Sequence, residues 1–261
     1  MRTVRLELSY DGSLFSGWQR QAGFRSVQQC LEEAVVRLTG EAATVHGSGR
    51  TDAGVHALRQ SAHFRTSSAL APERIRLGLN AWLPDGISVR DARDAAPEFH
   101  ARFAATGKRY VYRMLVARVR PALLRGYRAW VPHQVDLAAM RAGARLLLGE
   151  HDFAAFTTAE AARLRASTVR RIDHLHLRRR GEQLDLFIQG NGFLHFMVRT
   201  IVGALLEVGR GKHPPEWIAA VLASRDRRRS GPTAPAHGLY LLRVLYRGTP
   251  PACAADTAAT D

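Results

Sequence analysis

The sequence predicts an α+β fold made of two units that share the element order β-α-β-β-α-β. Alternating stretches typical of half-buried strands recur along the chain, and amphipathic stretches with helix-capping signals separate them. The same order of elements returns in the second half. With 261 residues and 46% hydrophobic side chains, the chain can bury a substantial core without disulfides.

The first half contains the six elements in turn. Residues 4–10 alternate apolar and polar side chains, as a half-buried strand does, and an irregular glycine-bearing loop follows them. Ser26, with Gln29 three residues later, predicts the capping box of a helix that ends at Gly40. The remaining predicted elements are a strand at 44–47, a strand at 60–66, a helix at 72–80 and a strand at 87–92.

The second half repeats roughly this order, with one additional helix before its last strand. Its predicted elements are a strand at 108–117, a helix at 136–148, strands at 169–178 and 184–189, helices at 193–208 and 214–222, and a strand at 239–246. We therefore predict two ferredoxin-like units joined near residues 104–107. The expected domains are an N-terminal α/β subdomain at 1–105, a C-terminal α/β subdomain at 106–247 and a flexible tail at 248–261.

The net charge favours a polyanionic partner. Lys and Arg number 38 against 23 Asp and Glu, which gives a formal charge of +15. Only Lys108 and Lys212 are lysines, and a preference for Arg over Lys can reflect genome composition. That preference does not explain the excess of bases over acids, so the charge favours nucleic acid.

Cysteine usage and hydropathy favour a cytoplasmic protein. Cys30 and Cys253 lie far apart, which argues against a disulfide framework and against a cysteine-based zinc site. The N-terminus lacks the apolar core of a signal peptide. Residues 193–208 form the most apolar stretch, but His195, Arg199 and Glu207 interrupt it, which argues against a membrane span.

Several familiar motifs are incomplete. Residues 47–52 begin like a dinucleotide fingerprint but place Asp52 where the close helix packing requires glycine. Two Gly-Lys pairs lack the hydroxyl residue that a P-loop presents to magnesium. His174 and His176 share a face of a predicted strand, and the sequence offers no third metal ligand beside them.

The segment 47–57, GSGRTDAGVHA, carries the most specific chemical signal. Its three glycines allow backbone to approach a ligand closely, and Asp52 is the carboxylate between them. If the segment is extended, Arg50 and Asp52 project to one face, and the guanidinium keeps the carboxylate ionised, as a nucleophile requires. The alternative is an Asx turn tied by a surface ion pair.

Two further features indicate a nucleic-acid substrate. Arg199 lies within a predicted helix that is apolar around most of its circumference, and a buried charge requires a partner. We expect that partner to be an anion, either Asp52 or a phosphate. The alternative is that the Arg199 side chain extends to solvent. In residues 108–113, KRYVYR, the tyrosines share a face among basic residues. Aromatic rings beside cations stack unpaired bases, although paired tyrosines on a strand also serve ordinary packing.

Taken together, these segments resemble the tRNA pseudouridine synthase A family, which isomerises uridines in the tRNA anticodon arm. The residues at 49–57, GRTDAGVHA, are the specific part of the resemblance. The other matching segments follow in family order at 8–12, 15–21, 100–103, 108–113, 191–199, 233–235 and 238–241.

The resemblance implies a pseudouridine synthase fold with an extended, mainly antiparallel sheet. It implies that Asp52 is the catalytic aspartate, that Tyr110 stacks on the target uracil, and that Arg50 and Arg199 arrange the aspartate and hold the flipped nucleotide. It further implies modification at positions 38, 39 and 40 of tRNA by a cytoplasmic homodimer that uses no cofactor and no metal.

The chemistry agrees with the residues present. Pseudouridine formation breaks the C1′–N1 bond and joins C1′ to C5 without redox change, so one nucleophilic carboxylate can suffice. The sequence leaves three first steps open for Asp52: attack on uracil C6, attack on ribose C1′, or removal of a sugar proton. The alternative function is a non-catalytic ferredoxin-like RNA-binding or chaperone module. A nucleoside hydrolase would need two opposed carboxylates, and this loop supplies one.

Overall fold

A computed structural model describes residues 1–163 and 167–249 of the chain. The chain forms two compact units. The first comprises Met1–Gly107 and the chain from Leu241 onward, and the second comprises Lys108–Tyr240. The predicted domain boundaries at 105 and 247 stay a prediction, and residues 250–261 of the predicted tail lie outside the described residues.

The first unit has the predicted order β-α-β-β-α-β. Its elements are β1 (Arg2–Tyr10), α1 (Val27–Thr39), β2 (His46–Gly47), β3 (His56–Thr66), α2 (Pro72–Trp82) and β4 (Ile87–Ala95). Strand β1 lies between β3 and β4 and pairs antiparallel with both, so that Leu6 is opposite Ala62 on one side and Ala92 on the other. Strand β2 also pairs with β3 antiparallel.

The caps of α1 confirm the predicted ends of that helix. The Ser26 side chain accepts a hydrogen bond from the Gln29 N–H at 3.3 Å, which satisfies a backbone donor that the first helical turn leaves free. Gly40 ends the helix with a φ of 73°, in the left-handed region that glycine adopts without a steric penalty. The local sequence therefore sets both ends of α1.

The rest of the chain contains the predicted elements and three short ones that were not predicted. The elements of the second unit are β5 (Gly107–Val116), β6 (Ala129–Val131), α3 (Leu137–Arg145), β7 (Gly149–Asp152), α4 (Ala159–Arg163), β8 (Val169–Arg180), β9 (Gln183–Gly190), α5 (Met197–Gly209) and α6 (Trp217–Ser224). Strand β10 (Leu239–Leu245) follows them, and its residues from Leu241 onward belong to the first unit. Strands β6 and β7 and helix α4 have three to five residues each, too few to show a period in the sequence.

The sheets are mainly antiparallel, as predicted. In the second unit β9 lies between β5 and β8, with Tyr110 opposite Ile188 and His176 opposite Phe187. Strand β7 adds to β8 antiparallel. Strands β5 and β6 run parallel, and the other pairs whose register is described are antiparallel. The α+β class is therefore confirmed.

Helix α5 begins four residues later than predicted and is buried, as its apolar circumference indicated. The prediction placed its start at residue 193, but the first helical residue is Met197. Phe196 precedes it with a φ of 61°, a left-handed conformation that the helical spacing of apolar residues does not reveal. Of the thirteen residues of α5, all except Arg199 and Leu206 are buried. Over residues 1–163 and 167–249, no helix is long and apolar enough to cross a membrane.

Three histidines of the first unit form a cluster of rings. The His63 ring lies 5.2 Å from that of His46 and 4.6 Å from that of His100. His63 is 3% exposed, and its Nδ1 accepts a hydrogen bond from the Ala101 N–H at 3.1 Å. Burial, reinforced by His100, His46 and Arg65, lowers the pKa of His63 to about 4.

We expect this cluster to make the protein less stable in acid. Because the pKa of His63 is lower in the folded chain than its ordinary value of 6.5, the unfolded chain binds a proton there that the folded chain excludes. The free energy of unfolding should fall as the pH drops from 6.5 to about 4, by at most roughly 3 kcal/mol from this group.

The measurement is urea unfolding across that pH range, for the wild type and for His63→Asn. The asparagine oxygen can accept the Ala101 bond but does not titrate, so the variant should lose part of the acid slope. His133→Asn, at an exposed position, is the matched control and should keep the full slope. Equal slopes in the wild type and His63→Asn would contradict the prediction.

Candidate active site

Asp52 lies on the loop between β2 and β3, and the backbone of that loop is tied to the loop after β1. The Trp18 N–H donates to the Thr51 carbonyl at 3.0 Å, and the Gly54 N–H donates to the Gly12 carbonyl at 3.2 Å. Asp52 is partly exposed, while Thr51 before it is buried. Asp52 therefore lies, partly exposed, on a loop with a defined backbone.

Two glycines of the first loop allow this close approach. A Cβ at Gly12 would overlap the carbonyl oxygen of Val55, and a Cβ at Gly17 would lie 2.6 Å from the carbonyl oxygen of Thr51. Gly17 also has a φ of 85°, which favours glycine. Both positions therefore require glycine if the Asp52 loop is to keep this backbone.

Buried polar side chains support the Asp52 loop from inside the first unit. Gln60, at 0% exposure, donates through Nε2 to the Gly49 carbonyl at 3.1 Å and accepts from the Ser48 hydroxyl at 2.6 Å. The hydroxyls of Tyr10 and Thr51 are hydrogen-bonded at 2.8 Å. Burial raises the pKa of Tyr10 to about 12, so the phenol stays protonated at neutral pH. The sequence did not indicate Gln60 or Tyr10 as residues of the site.

Arg50 is exposed on the same loop as Asp52. Its Nε donates to the Gln19 side chain at 3.0 Å. The shared face of Arg50 and Asp52 was predicted on condition that the segment is extended. Residues 48–49 form bends and residues 53–54 form a turn, while residues 50–52 between them belong to no regular secondary structure. The shared face of Arg50 and Asp52 therefore stays a prediction.

Tyr110 lies on β5 in the second unit and is 8% exposed. The ring of Phe193 meets its ring edge-on, with 5.3 Å between centroids. Tyr112 shares that strand and is fully buried, and its hydroxyl donates to the Pro235 carbonyl at 2.8 Å. The two tyrosines thus differ: Tyr112 ties β5 to the segment before β10, and Tyr110 keeps a small exposed area.

Arg199 lies in the first turn of α5 and is partly exposed. Its Nε donates to the Ala234 carbonyl at 2.8 Å, and its backbone carbonyl accepts from the Ala234 N–H at 3.1 Å. The guanidinium carbon lies 4.7 Å from the centroid of the Phe196 ring, within the range of a cation–π interaction. These contacts fix the direction in which the guanidinium leaves the helix.

Comparison with known proteins identifies the family. The family model described as tRNA pseudouridine synthase matches residues 8–104 and 144–247. The chain belongs to the tRNA pseudouridine synthase A family. A relative named tRNA pseudouridine synthase A from Caldicellulosiruptor bescii is 42% identical, over 94% of this chain and 100% of its own. Relatives of the same name from Geobacillus kaustophilus and Shewanella loihica are each 45% identical over 93% of this chain, and over 94% and 92% of their own lengths.

Family membership makes the chain an isomerase and confirms the resemblance seen in the sequence. Asp52 and Arg50 lie in the first unit, whereas Tyr110 and Arg199 lie in the second. The roles expected of these four residues stay predictions. Among residues 1–163 and 167–249, no three His, Cys, Asp or Glu side chains are grouped so as to hold a metal ion.

Proposed function

We propose that this chain converts uridine to pseudouridine in the anticodon stem-loop of tRNA, at positions 38, 39 and 40, with Asp52 as the nucleophile. The observation that carries the proposal is 42–45% identity to tRNA pseudouridine synthases A over more than nine-tenths of the chain. The placement of Asp52 supports it, because a partly exposed carboxylate on a supported loop can meet a nucleotide.

The reaction is an isomerisation that needs no added group. The C1′–N1 bond breaks and its electron pair stays on N1, the freed uracil turns, and C1′ bonds to C5. The hydrogen of C5 leaves as a proton, and N1 takes up a proton from solvent. Asp52 supplies the electron pair for the covalent step and departs at the end as a carboxylate. Electrons and atoms balance without an oxidant or a reductant, so the proposal includes no cofactor and no metal.

The proposed roles of Tyr110, Arg50 and Arg199 follow from the position of the reacting atoms. A uridine stacked in the anticodon arm hides these atoms, so the base must turn outward before the nucleophile reaches it. The Tyr110 ring can replace part of the lost stacking, since an aromatic face binds any base. Arginine binds phosphate oxygens through paired N–H donors, which suits Arg50 and Arg199 for holding the flipped nucleotide.

We further propose a cytoplasmic homodimer that binds one tRNA across both subunits. Light scattering of the purified protein tests the dimer, with a mass near twice 28.9 kDa as the expected value. The proposed partner also agrees with the charge of +15, since each neutralised phosphate releases counterions. A monomer that modifies tRNA at full rate would contradict the proposed dimer but not the proposed reaction.

The experiment that tests the reaction is release of tritium from tRNA. Unmodified transcripts carrying tritium at uracil C5 are mixed with purified protein, and radioactivity in water is counted, because only bond formation at C5 expels that hydrogen. Release is the expected result. No release from any folded tRNA would contradict the proposed function and favour the binding-module alternative.

The positions are tested with altered transcripts. Replacing uridine at positions 38, 39 and 40 by cytidine, singly and together, should remove release in proportion to the uridines lost. A transcript with cytidine at all three positions is expected to release nothing. Full release from that transcript would place the modification elsewhere in the tRNA.

A steep salt dependence is expected for tRNA binding. The basic surface should contact several phosphates, so affinity should fall by about 10³-fold between 50 and 200 mM salt for roughly six contacts. Filter binding or fluorescence anisotropy at four salt concentrations gives the slope. An affinity that does not change over this range would contradict a binding mode dominated by phosphate contacts.

A further inference from the structure

The segment at residues 230–235, between α6 and β10, lies against helix α5 beside Arg199. A Cβ at Gly203 would overlap the Pro232 carbonyl oxygen, so the segment approaches the helix more closely than any residue but glycine permits there. One turn earlier, the hydroxyl of Thr200 lies 3.5 Å from that of Thr233. The segment therefore has a defined position along α5.

The same segment fixes the side chain of Arg199. Ala234 is 4% exposed, and it bonds Arg199 twice: its N–H donates to the Arg199 carbonyl, and its carbonyl accepts from the Arg199 Nε. A shift of this backbone would move the acceptor of the Nε–H and so change the direction of the guanidinium. The position of the segment thus determines the direction of the Arg199 guanidinium.

Arg227 holds the segment from its other side. Its Nη1 donates to the Gly231 carbonyl at 2.7 Å and to the Ser230 hydroxyl at 3.0 Å, and its Nη2 donates to the Thr233 hydroxyl at 2.6 Å. The three acceptors belong to four consecutive residues. One planar guanidinium thereby ties together the backbone that leads to Ala234, and the single ammonium of a lysine cannot reproduce that fork.

We infer that Arg227 is a positioning residue for the isomerase: it sets the 230–235 segment, which in turn aims the Arg199 guanidinium at the substrate. The inference rests on the substrate contact proposed for Arg199. The hydrogen bonds described for Arg227 all go to this segment, at Ser230, Gly231 and Thr233. Its effect on turnover therefore passes through Arg199.

The test is a double-mutant cycle that keeps every charge. Arg227→Lys, Arg199→Lys and the double variant are compared by single-turnover tritium release from tRNA. Arg227→Lys alone should slow the chemical step by roughly 10- to 100-fold, since small misplacements of positioning groups have effects of that size. In the Arg199→Lys background the same change should have an effect of less than about twofold, because the group it aims has gone.

Controls separate this role from general stability and from RNA binding. Arg228→Lys changes the neighbouring arginine, which is exposed and paired with Asp226 at 2.8 Å, and should leave the rate unchanged. Thr233→Val removes one acceptor of Arg227 without altering charge and should reproduce part of the loss. Thermal unfolding of each variant verifies the fold.

A second readout needs neither turnover nor RNA. In protein labelled with ¹⁵N arginine, the Arg199 Nε–H signal is identified by its absence in Arg199→Lys. Its exchange with water should be faster in Arg227→Lys, because its bond to the Ala234 carbonyl is lost, and unchanged in Arg228→Lys.

The outcomes distinguish a failure of the inference about Arg227 from a failure of the proposed function. Equal rate losses from Arg227→Lys in both backgrounds, or an Arg199 signal that does not respond, would overturn the inference and leave the isomerase intact. If Arg199→Lys has no measurable turnover, the rates cannot be compared in that background, and the exchange of the Arg199 Nε–H then tests the inference alone. Absence of tritium release from the wild type would instead reject the proposed function.

Discussion

Replacing Asp52 by alanine should abolish tritium release while tRNA still binds. Loss of the nucleophile removes the covalent step, and losses of roughly 10⁴-fold or more are typical when an enzyme loses such a group. Binding should persist because the substitution removes a negative charge, of the same sign as the phosphates, from a partly exposed position. The bonds described for the loop backbone, from Trp18 to Thr51 and from Gly54 to Gly12, do not involve the Asp52 side chain.

The measurement pairs single-turnover release with filter binding of the same tRNA. Asp52→Asn is the second variant, since it keeps the shape of the side chain and removes the charge, and it should be as inactive as Asp52→Ala. Asp85→Ala, at an exposed position between α2 and β4, is the matched control for losing one carboxylate and should release tritium at the wild-type rate. Substantial turnover by either Asp52 variant would show that another group performs the chemistry.

Much of the fold could be predicted because short-range patterns dictate it. The alternation of β1 and the caps of α1 depend on neighbouring residues, and both were predicted correctly. The start of α5 was not, because Phe196 adopts a left-handed conformation that the apolar spacing does not reveal. The carbonyl of the preceding residue, His195, accepts a bond from the Thr157 hydroxyl, 38 positions away. Contacts between residues so far apart in the chain leave no periodic pattern in the local sequence.

The site could be predicted only in part, for the same reason. The glycines and the carboxylate of residues 47–57 stand together in the sequence, so Asp52 could be proposed at once. Gln60 supports that loop through bonds to Gly49 and Ser48, and nothing about a glutamine in a predicted strand indicates such partners. Arg227 likewise stands in a run of three arginines, and only the folded segment distinguishes it from Arg228.

Substituting Gly12 by alanine is expected to damage both stability and turnover. Gly12 begins the loop after β1, its N–H donates to the His56 Nδ1 at 3.1 Å, and its carbonyl accepts from the Gly54 N–H. The added methyl group would overlap the Val55 carbonyl, which is backbone and cannot rotate away as a side chain could. The two loops must separate, at a cost of about 2–4 kcal/mol of unfolding free energy.

Because Gly12 and Gly54 bond directly, that separation also moves the Asp52 loop. A displacement near 1 Å lowers turnover by roughly 10²-fold, so the variant should lose activity even at temperatures where it remains folded. Gly126→Ala is the matched control, since a Cβ there meets nothing within 4 Å, and it should alter neither property. Thermal unfolding and single-turnover release give the two quantities. Wild-type turnover in a folded Gly12→Ala variant would mean that the loop around Asp52 tolerates movement, and that the close backbone contact serves stability alone.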